Sequence, residues 1–407
     1  MAFPFSRQTL APRKQTVFAF EKMLPARSNL LNYRHNKILR FSVLMRLTAI
    51  RKQVSSLLNK LNSSIRARGV LKMSNRMTKF QTSRRAFLAG GIAALAMPSL
   101  VRAKGLEALS ARMDFAPWGV QAAMHLAQVK GWFKDVGVEV DVQDGRGSAN
   151  TLQLVNAGQV DVGQVQLGLV PQARMKSATV RSFAGFCRAT DLAAVVDRDS
   201  DYKTVADLKG KSIVCFAASP WAPFIDYWLA QGGLDRSTVE LLLVDPAALW
   251  STYTTRRADA ILSTGPSIIP PAEAVRPSRG ILASDAGVNF PSYGLIASDE
   301  TIEKRGDALK ALVASQQKAW AYLRDGNAGE GAEAMIQQRP TIKLTKEVLT
   351  KQIELTIETF ETPATAGKPI GWQADADWNA ALVSMEKANA IPSGLTLSDI
   401  FTNDFIG

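Results

Sequence analysis

Val138-Glu139-Val140-Asp141-Val142, then Asp144-Gly145-Arg146-Gly147-Ser148, then the run 149–157 closed by Gly158, then Val160-Asp161-Val162-Gly163: this stretch decides the fold. The first five residues alternate apolar and charged, the pattern of a half-buried strand. The Gly-rich string is a turn, and Ser148 is a candidate N-cap for the helix that follows. Gly158 ends that helix, and a second strand is expected over 160–165. Strand, helix and strand at this spacing predict a parallel sheet covered by helices. Toward the N-terminus, a strand is expected over 111–115. Pro117-Trp118-Gly119 breaks it, and a helix is predicted over 120–133 with Val120, Ala123, Met124 and Ala127 on one face.

The pattern then repeats. Residues 205–211 read as a short helix and turn, and 212–216 as a strand. Ser219-Pro220-Trp221 opens a helix to residue 230, closed by Gly232-Gly233. A strand is expected over 239–244, a helix over 247–255 and a strand over 259–262 ending at Thr264-Gly265-Pro266. Helices dominate the remainder, over 301–323, 328–338, 344–360 and 374–389. A weak internal echo joins the halves. Ala157-Gly158-Gln159-Val160-Asp161-Val162-Gly163 and Thr255-Arg256-Arg257-Ala258-Asp259-Ala260-Ile261 each give a helix end, a polar corner, an Asp and a small apolar strand. Two lobes of similar build would produce it.

The chain has 407 residues, enough for two or three domains, and 46% hydrophobic content, enough for sizeable cores. Its net charge of +13 is unevenly spread. Residues 1–103 hold 20 of the 49 Lys and Arg and one acid, Glu21, giving +19, so the remainder is −6. The basic charge belongs to a leader, and a nucleic-acid function loses its main support. Residues 1–76 read as a basic extension: a disordered arm, a transit peptide or the product of a mis-called start. From Met77, Ser83-Arg84-Arg85-Ala86-Phe87-Leu88 resembles a twin-arginine export signal, with a weakly apolar run over 86–97 and cleavage expected after Ala103. That run is too short to span a bilayer, which takes about 20 residues. No membrane span is expected in the mature chain, which is placed in the periplasm as a monomer.

Two cysteines, Cys187 and Cys215, lie in apolar strand-like runs and read as buried free thiols. With two histidines, His35 and His125, no metal site and no nucleophile–His–acid order is expected. His125 reads as a surface or half-buried helical residue. No cofactor is called for.

At Ala127-Gln128-Val129-Lys130-Gly131-Trp132-Phe133-Lys134-Asp135-Val136-Gly137-Val138-Glu139-Val140 the chain resembles the periplasmic solute-binding proteins of ABC importers. The resemblance is to the group that binds nitrate, sulfonates, taurine and thiamine precursors (pyrimidines). Gly147-Ser148, the 157–163 segment, Val205-Ala206-Asp207-Leu208-Lys209-Gly210-Lys211, Trp378 and Asn403-Asp404-Phe405 fit its pattern over residues 110–407. Arg256 departs from it, standing where the group has Gly. The resemblance implies the type II periplasmic-binding-protein fold, two α/β lobes around a ligand cleft joined by two crossovers. Lobe 1 is assigned to 104–193 plus 288–407 and lobe 2 to 194–287. The implied partners are a small-molecule ligand, an ABC permease and the twin-arginine export machinery.

Ligands of such sheets sit beyond the carboxyl ends of the strands, where helix N-termini gather. The loops there nominate Trp118, Arg146, Gly147, Ser148, Gln164, Gln166, Ser219, Trp221 and Thr264, with Asn289-Phe290 as a minor candidate. Each has a plainer role: Ser148 and Ser219 as N-caps, the tryptophans as lobe packing, Arg146 as a solvated charge, and at most one of the two glutamines facing the cleft. Two rings and several uncharged donors favour a planar or heteroaromatic, pyrimidine-like solute. The alternatives are a sulfonate- or nitrate-type anion receptor, an enzyme resembling thiamine-pyrimidine synthase, and a periplasmic sensor or chaperone-like partner without transport.

Overall fold

The computed structural model describes residues 105–407 apart from Ala218; the basic extension, the twin-arginine segment and the cleavage after Ala103 lie outside the described residues. In chain order the first part comprises β1 (Glu107–Arg112), α1 (Ala122–Val129), α2 (Trp132–Asp135), β2 (Val138–Gln143), α3 (Ser148–Asn156), β3 (Val162–Gln166), α4 (Leu169–Met175) and β4 (Val180–Gly185). Next come β5 (Leu192–Asp197), β6 (Ser212–Cys215), α5 (Ile225–Gln231), β7 (Glu240–Leu243), α6 (Pro246–Thr254), β8 (Ala260–Thr264), α7 (Gly265–Ala272) and β9 (Ser278–Leu282). The chain closes with β10 (Tyr293–Ser298), α8 (Asp299–Lys304), α9 (Gly306–Tyr322), α10 (Ala328–Gln338), α11 (Lys346–Ile357), α12 (Asp375–Lys387) and α13 (Leu397–Ile400).

Two five-stranded sheets result, ordered β2-β1-β3-β10-β4 and β7-β6-β8-β5-β9. The expectation of a parallel sheet is corrected: each sheet is mixed. β10 runs antiparallel to both β3 and β4, and β5 antiparallel to both β8 and β9. The cause is the connection between lobes. The chain leaves the first sheet through residues 186–191 and returns through 283–292, and each arriving strand inserts against the prevailing direction. The expected boundary at residue 193 falls inside β5, which opens at Leu192.

Several expected elements shift for local reasons. β1 ends at Arg112 instead of reaching residue 115. After Met113 N donates to the Gln143 carbonyl at 2.8 Å, the chain turns, and Asp114 O accepts from Gly147 N at 2.7 Å. The long helix over 120–133 is broken where Gly131 adopts φ 74°, outside the reach of most side chains. The helix expected from Ser219 starts at Ile225, behind a series of turns, so Ser219 caps nothing. His125 is fully buried in α1, with neither ring nitrogen bonded, where a surface or half-buried place was expected. Cys187 and Cys215 are buried and free.

The internal echo has a physical basis. In the first lobe Ser110 N and Oγ both donate to Asp161 Oδ2 at 2.7 Å, and Asp161 N donates to Ser110 Oγ at 3.0 Å. In the second, Ser212 N and Oγ donate to Asp259 Oδ2 at 2.9 and 2.8 Å, and Asp259 N donates to Ser212 Oγ at 3.0 Å. Each clamp pins the start of the third parallel strand to the central one. The corner before each Asp is left-handed, with φ 65° at Gly158 and 59° at Arg256. The departure at Arg256 therefore keeps the glycine's conformation.

Removing either clamp orphans partly buried donors, so Asp161→Ala and Asp259→Ala are each expected to lower unfolding stability by about 1–3 kcal/mol. The double change Ser110→Ala with Asp161→Ala should cost less than the sum of the single changes. Urea unfolding of the four variants measures this, and strict additivity would mean that the clamp does not act as a unit.

Candidate functional site

A cavity of about 540 Å³ lies between the two sheets. The turn after β1 contributes Asp114, Phe115 and Trp118. The turn before α3 contributes Gly147 and Ser148, and β10 contributes Tyr293. From the second lobe come Phe216, Ser219, Trp221, Trp250, Thr264 and Ser267. The connection 339–345 between α10 and α11 covers one side with Arg339, Ile342 and Lys343, and Gln352 of α11 closes the back.

Six of the nine residues nominated from sequence line this cavity: Trp118, Gly147, Ser148, Ser219, Trp221 and Thr264. Their roles are not all those expected. Ser148 is no side-chain cap; its Oγ accepts from Gln166 N at 3.1 Å, tying the α3 start to β3. Ser219 Oγ lies 3.0 Å from Cys215 Sγ. Thr264 Oγ1 donates to Ser267 Oγ at 2.8 Å. Trp221 is fully buried, its indole N–H given to the Ser263 carbonyl at 2.9 Å and its ring set edge-on to Trp228. Trp118 is 6% exposed and meets Tyr293 edge-to-face at 5.4 Å.

Gln164, Gln166 and Arg146 do not line it. Gln164 is buried and its amide donates to the Val120 carbonyl at 2.7 Å. Gln166 is buried behind the wall, and Arg146 is exposed. Neither glutamine faces the cavity, where one was allowed. Asn289 is exposed, and Phe290 stacks on Phe224 in the core.

The more exposed rings of the lining belong to residues that sequence reading missed. Phe115 is 38% exposed, and Trp250 and Phe216 are partly exposed, from opposite lobes. Equally unforeseen is Asp114, a buried carboxylate in the wall. Trp118 Nε1 donates to its Oδ2 at 3.1 Å and Gln121 Nε2 to its Oδ1 at 2.9 Å. Burial raises its pKa, against the hydrogen bonds from Gln121 and Trp118. Asp191, in the first crossover, is buried too. Gln166 Nε2 donates to its Oδ1 at 2.8 Å, and Ser292 Oγ, from the second crossover, donates to the same oxygen. Burial pushes Asp191 up to about 6. Of the two cations on the wall, Arg339 is bound to Asp144 at 2.7 Å, while Lys343 is exposed at the mouth.

Gln352 joins the lobes. Its Oε1 accepts from Gly119 N at 3.0 Å on the first-lobe side, and its Nε2 donates to the Ser267 carbonyl at 3.0 Å in α7. A Cβ on residue 119 would lie 2.5 Å from Gln352 Cβ, so only glycine lets α11 come this close.

Residues 119–326 match the family described as NMT1/THI5 like. The formylaminopyrimidine-binding protein of Halalkalibacterium halodurans is 21% identical over 74% of this chain and 91% of its own. Among solved structures, the periplasmic aliphatic sulphonate binding protein SsuA from Escherichia coli superposes with a TM-score of 0.55 at 17% identity, covering 72% of this chain and 91% of its own. The periplasmic nitrate-binding protein NrtA from Synechocystis PCC 6803 gives 0.55 at 14%, covering 74% and 88%. The fold is thus the two-lobed one of periplasmic binding proteins, and the crossovers between sheets fit it.

Two buried groups near the site give opposite pH slopes. Folded Asp191 keeps a proton between about pH 4 and 6 that the unfolded chain has shed, so its contribution to stability falls as pH rises through that window. Burial, with a smaller contribution from Arg339, holds His125 down at about 4. The unfolded chain therefore binds a proton there first, and His125's contribution falls as pH drops from about 6.5 to 4. Each slope is about 1.4 kcal/mol per pH unit. Urea unfolding at stepped pH is expected to give a shallow wild-type profile between pH 4 and 6. Asp191→Asn should make stability rise with pH across it, and His125→Leu should make it fall. Parallel profiles for the three proteins would contradict both assignments.

Proposed function

The chain belongs to the NMT1/THI5-like family, and from that premise we propose that it is the periplasmic substrate-binding component of an ABC importer. It captures a small planar or heteroaromatic, pyrimidine-like solute in the cleft and delivers it to the permease. The observation that carries this reading is the wall itself, which combines the partly exposed rings of Phe115, Phe216 and Trp250 with the buried Asp114 carboxyl. Rings on the wall favour a flat apolar body. A buried carboxyl takes N–H donors and opposes an anion, since an unpaired charge in such a place is costly. A heterocycle with ring N–H or exocyclic amino groups satisfies both.

The sulfonate- or nitrate-type reading draws support from the α3 and α7 N-termini and from Lys343, all at the cavity. It would need Asp114 to stay neutral. An enzyme of the thiamine-pyrimidine synthase kind draws little from the wall. His125, the histidine of the described residues, lies in α1 and is not part of the cavity lining.

Delivery outside the cytoplasm rests on the twin-arginine motif, for which we propose export of the folded chain with cleavage after Ala103. No helix of the described residues is long and apolar enough to cross a membrane.

A thermal-shift panel of pyrimidines, alkylsulfonates, nitrate and aromatic acids tests the ligand. A solute at 100 times its Kd stabilises the protein by about 2.7 kcal/mol. Pyrimidine-like solutes are expected to raise the Tm. Phe115→Ala and Trp250→Ala should each cost about 0.5–1.5 kcal/mol of binding. Asp114→Asn should cost about 1.5–3 kcal/mol. A panel in which only sulfonates or nitrate act, with Asp114→Asn strengthening them, would sink the heterocycle reading. Export is tested separately: replacing Arg84 and Arg85 by Lys should leave the full-length chain in the cytoplasm, and undiminished periplasmic protein would point to another route.

A further inference from the structure

A single heterocyclic ring does not fill this cavity. An apolar cavity of about 150 Å³ is enough to hold benzene. At about 540 Å³ this one has more than three times that volume, within the range that takes drug-sized ligands. Much of the lining that a ring at Asp114 leaves over is aliphatic. α6 contributes Pro246 and Leu249, three residues apart and so on one helix face, and α7 contributes Ile268. The connection 339–345 adds Ile342 and Leu344. These side chains come from two separate cores. Leu249 and Ile268 belong to the cluster that Val195, Val214 and Tyr253 build on the second sheet. Ile342 and Leu344, both partly buried, pack against the first-lobe core.

The polar groups that the same elements bring to the cavity are engaged within the protein. Thr264 Oγ1 donates to Ser267 Oγ at 2.8 Å, and Ser267 Oγ donates to the Thr264 carbonyl at 3.0 Å. Gln352 uses both ends of its amide, accepting from Gly119 N and donating to the Ser267 carbonyl. The Arg339 guanidinium is held by Asp144 and by the carbonyls of Val142 and Gln338. Thr341 and Lys343, on the connection, are exposed to solvent. Asp114 differs. Each of its oxygens accepts one side-chain N–H, and a carboxylate has lone-pair sites for about four. Capacity to bond a solute therefore stands on the first lobe, and aliphatic surface on the second lobe and the connection.

We propose that the solute has two parts: a hydrogen-bonding head held at Asp114, and an apolar arm of several carbons lodged among Pro246, Leu249, Ile268, Ile342 and Leu344. The inference rests on the cleft of the proposed function being the binding site; the arm's place does not depend on the chemistry of the head. A solute with both parts touches both lobes at once. A bare ring or a nitrate ion fills only the head's place and leaves the aliphatic surface to water. Covering that surface is worth about fourfold in Kd for each buried CH2. Length of the arm, more than identity of the head, then sets which solutes are retained.

Calorimetry on the protein with two homologous series tests the arm. One series is 4-aminopyrimidine with its methyl, ethyl, propyl and butyl derivatives at ring position 2, 5 or 6; the other runs from methanesulfonate to hexanesulfonate. At one ring position, affinity is expected to rise about fourfold per added carbon. Replacing Ile342 and Leu344 together by Ser should cut that rise to less than about twofold per carbon, in a protein whose unliganded melting shows that it folds. An undiminished rise in the folded double variant overturns the assigned place of the arm. If the variant does not fold, the slopes of the unmodified protein decide. A rise with chain length in the sulfonates alone keeps the arm and overturns the heterocyclic head. Affinity that is flat with chain length in both series overturns the arm, and binding of 4-aminopyrimidine itself then leaves the heterocycle reading standing. Failure of every member of both series to bind overturns both.

Discussion

Two lengths of chain must pass between the sheets with their polar backbone buried, and everything at the cleft depends on how those groups are satisfied. The passages bond to each other and to strand ends. Ser292 N donates to the Cys187 carbonyl at 2.8 Å, and Leu167 N to the Ser292 carbonyl at 2.6 Å. Gly265 N donates to the Asp191 carbonyl at 2.9 Å, which fixes the start of α7 against the first passage. The hinge is therefore the place where the sheets' backbone ladders are spliced. Side chains reach it too, Asp191 and Ser292 among them, bonded to each other across the two passages. The cavity wall is built on the same splice, since Tyr293 follows Ser292 directly and Ser148 is tied to Gln166.

How much of this was legible depends on which faces water touches. β2 announced itself because it is an edge strand with alternate residues exposed. β4, β5, β9 and β10 went unassigned, and for β4, β5 and β10 the reason is the opposite one. Buried on both faces, they read as runs such as Leu192-Ala193-Ala194-Val195-Val196, which carry no period to detect. The missing strands are those that cross between lobes or neighbour them, so the antiparallel insertions were invisible too. The Ser–Asp clamps left a trace because each fixes a short motif with a corner of set handedness.

At the site, turns after strands were a sound guide to place and a poor one to role. Residues 118, 147, 148, 219, 221 and 264 reach the cavity, yet the two tryptophans are spent largely on packing. Phe115 and Trp250 carried no signal beyond being aromatic, and Trp250 sits inside helix α6. Asp114 and Asp191 are single acids in ordinary loops. Nothing in their neighbours distinguishes them from solvated carboxylates; only the fold, by closing over them, changes their chemistry. Gln166 was singled out for facing the ligand and instead faces the hinge.

Gln352 and Gly119 draw a different consequence from the same geometry. One amide serves both lobes, and its approach is possible only because residue 119 has no side chain. A methyl group at 119 would force α11 outward and strip the amide of its first-lobe partner. A shorter residue at 352 would leave the glycine with room it no longer needs, and the Gly119 N–H and Ser267 carbonyl unserved. A change at either position alone therefore costs the link, although 233 residues of chain separate the two.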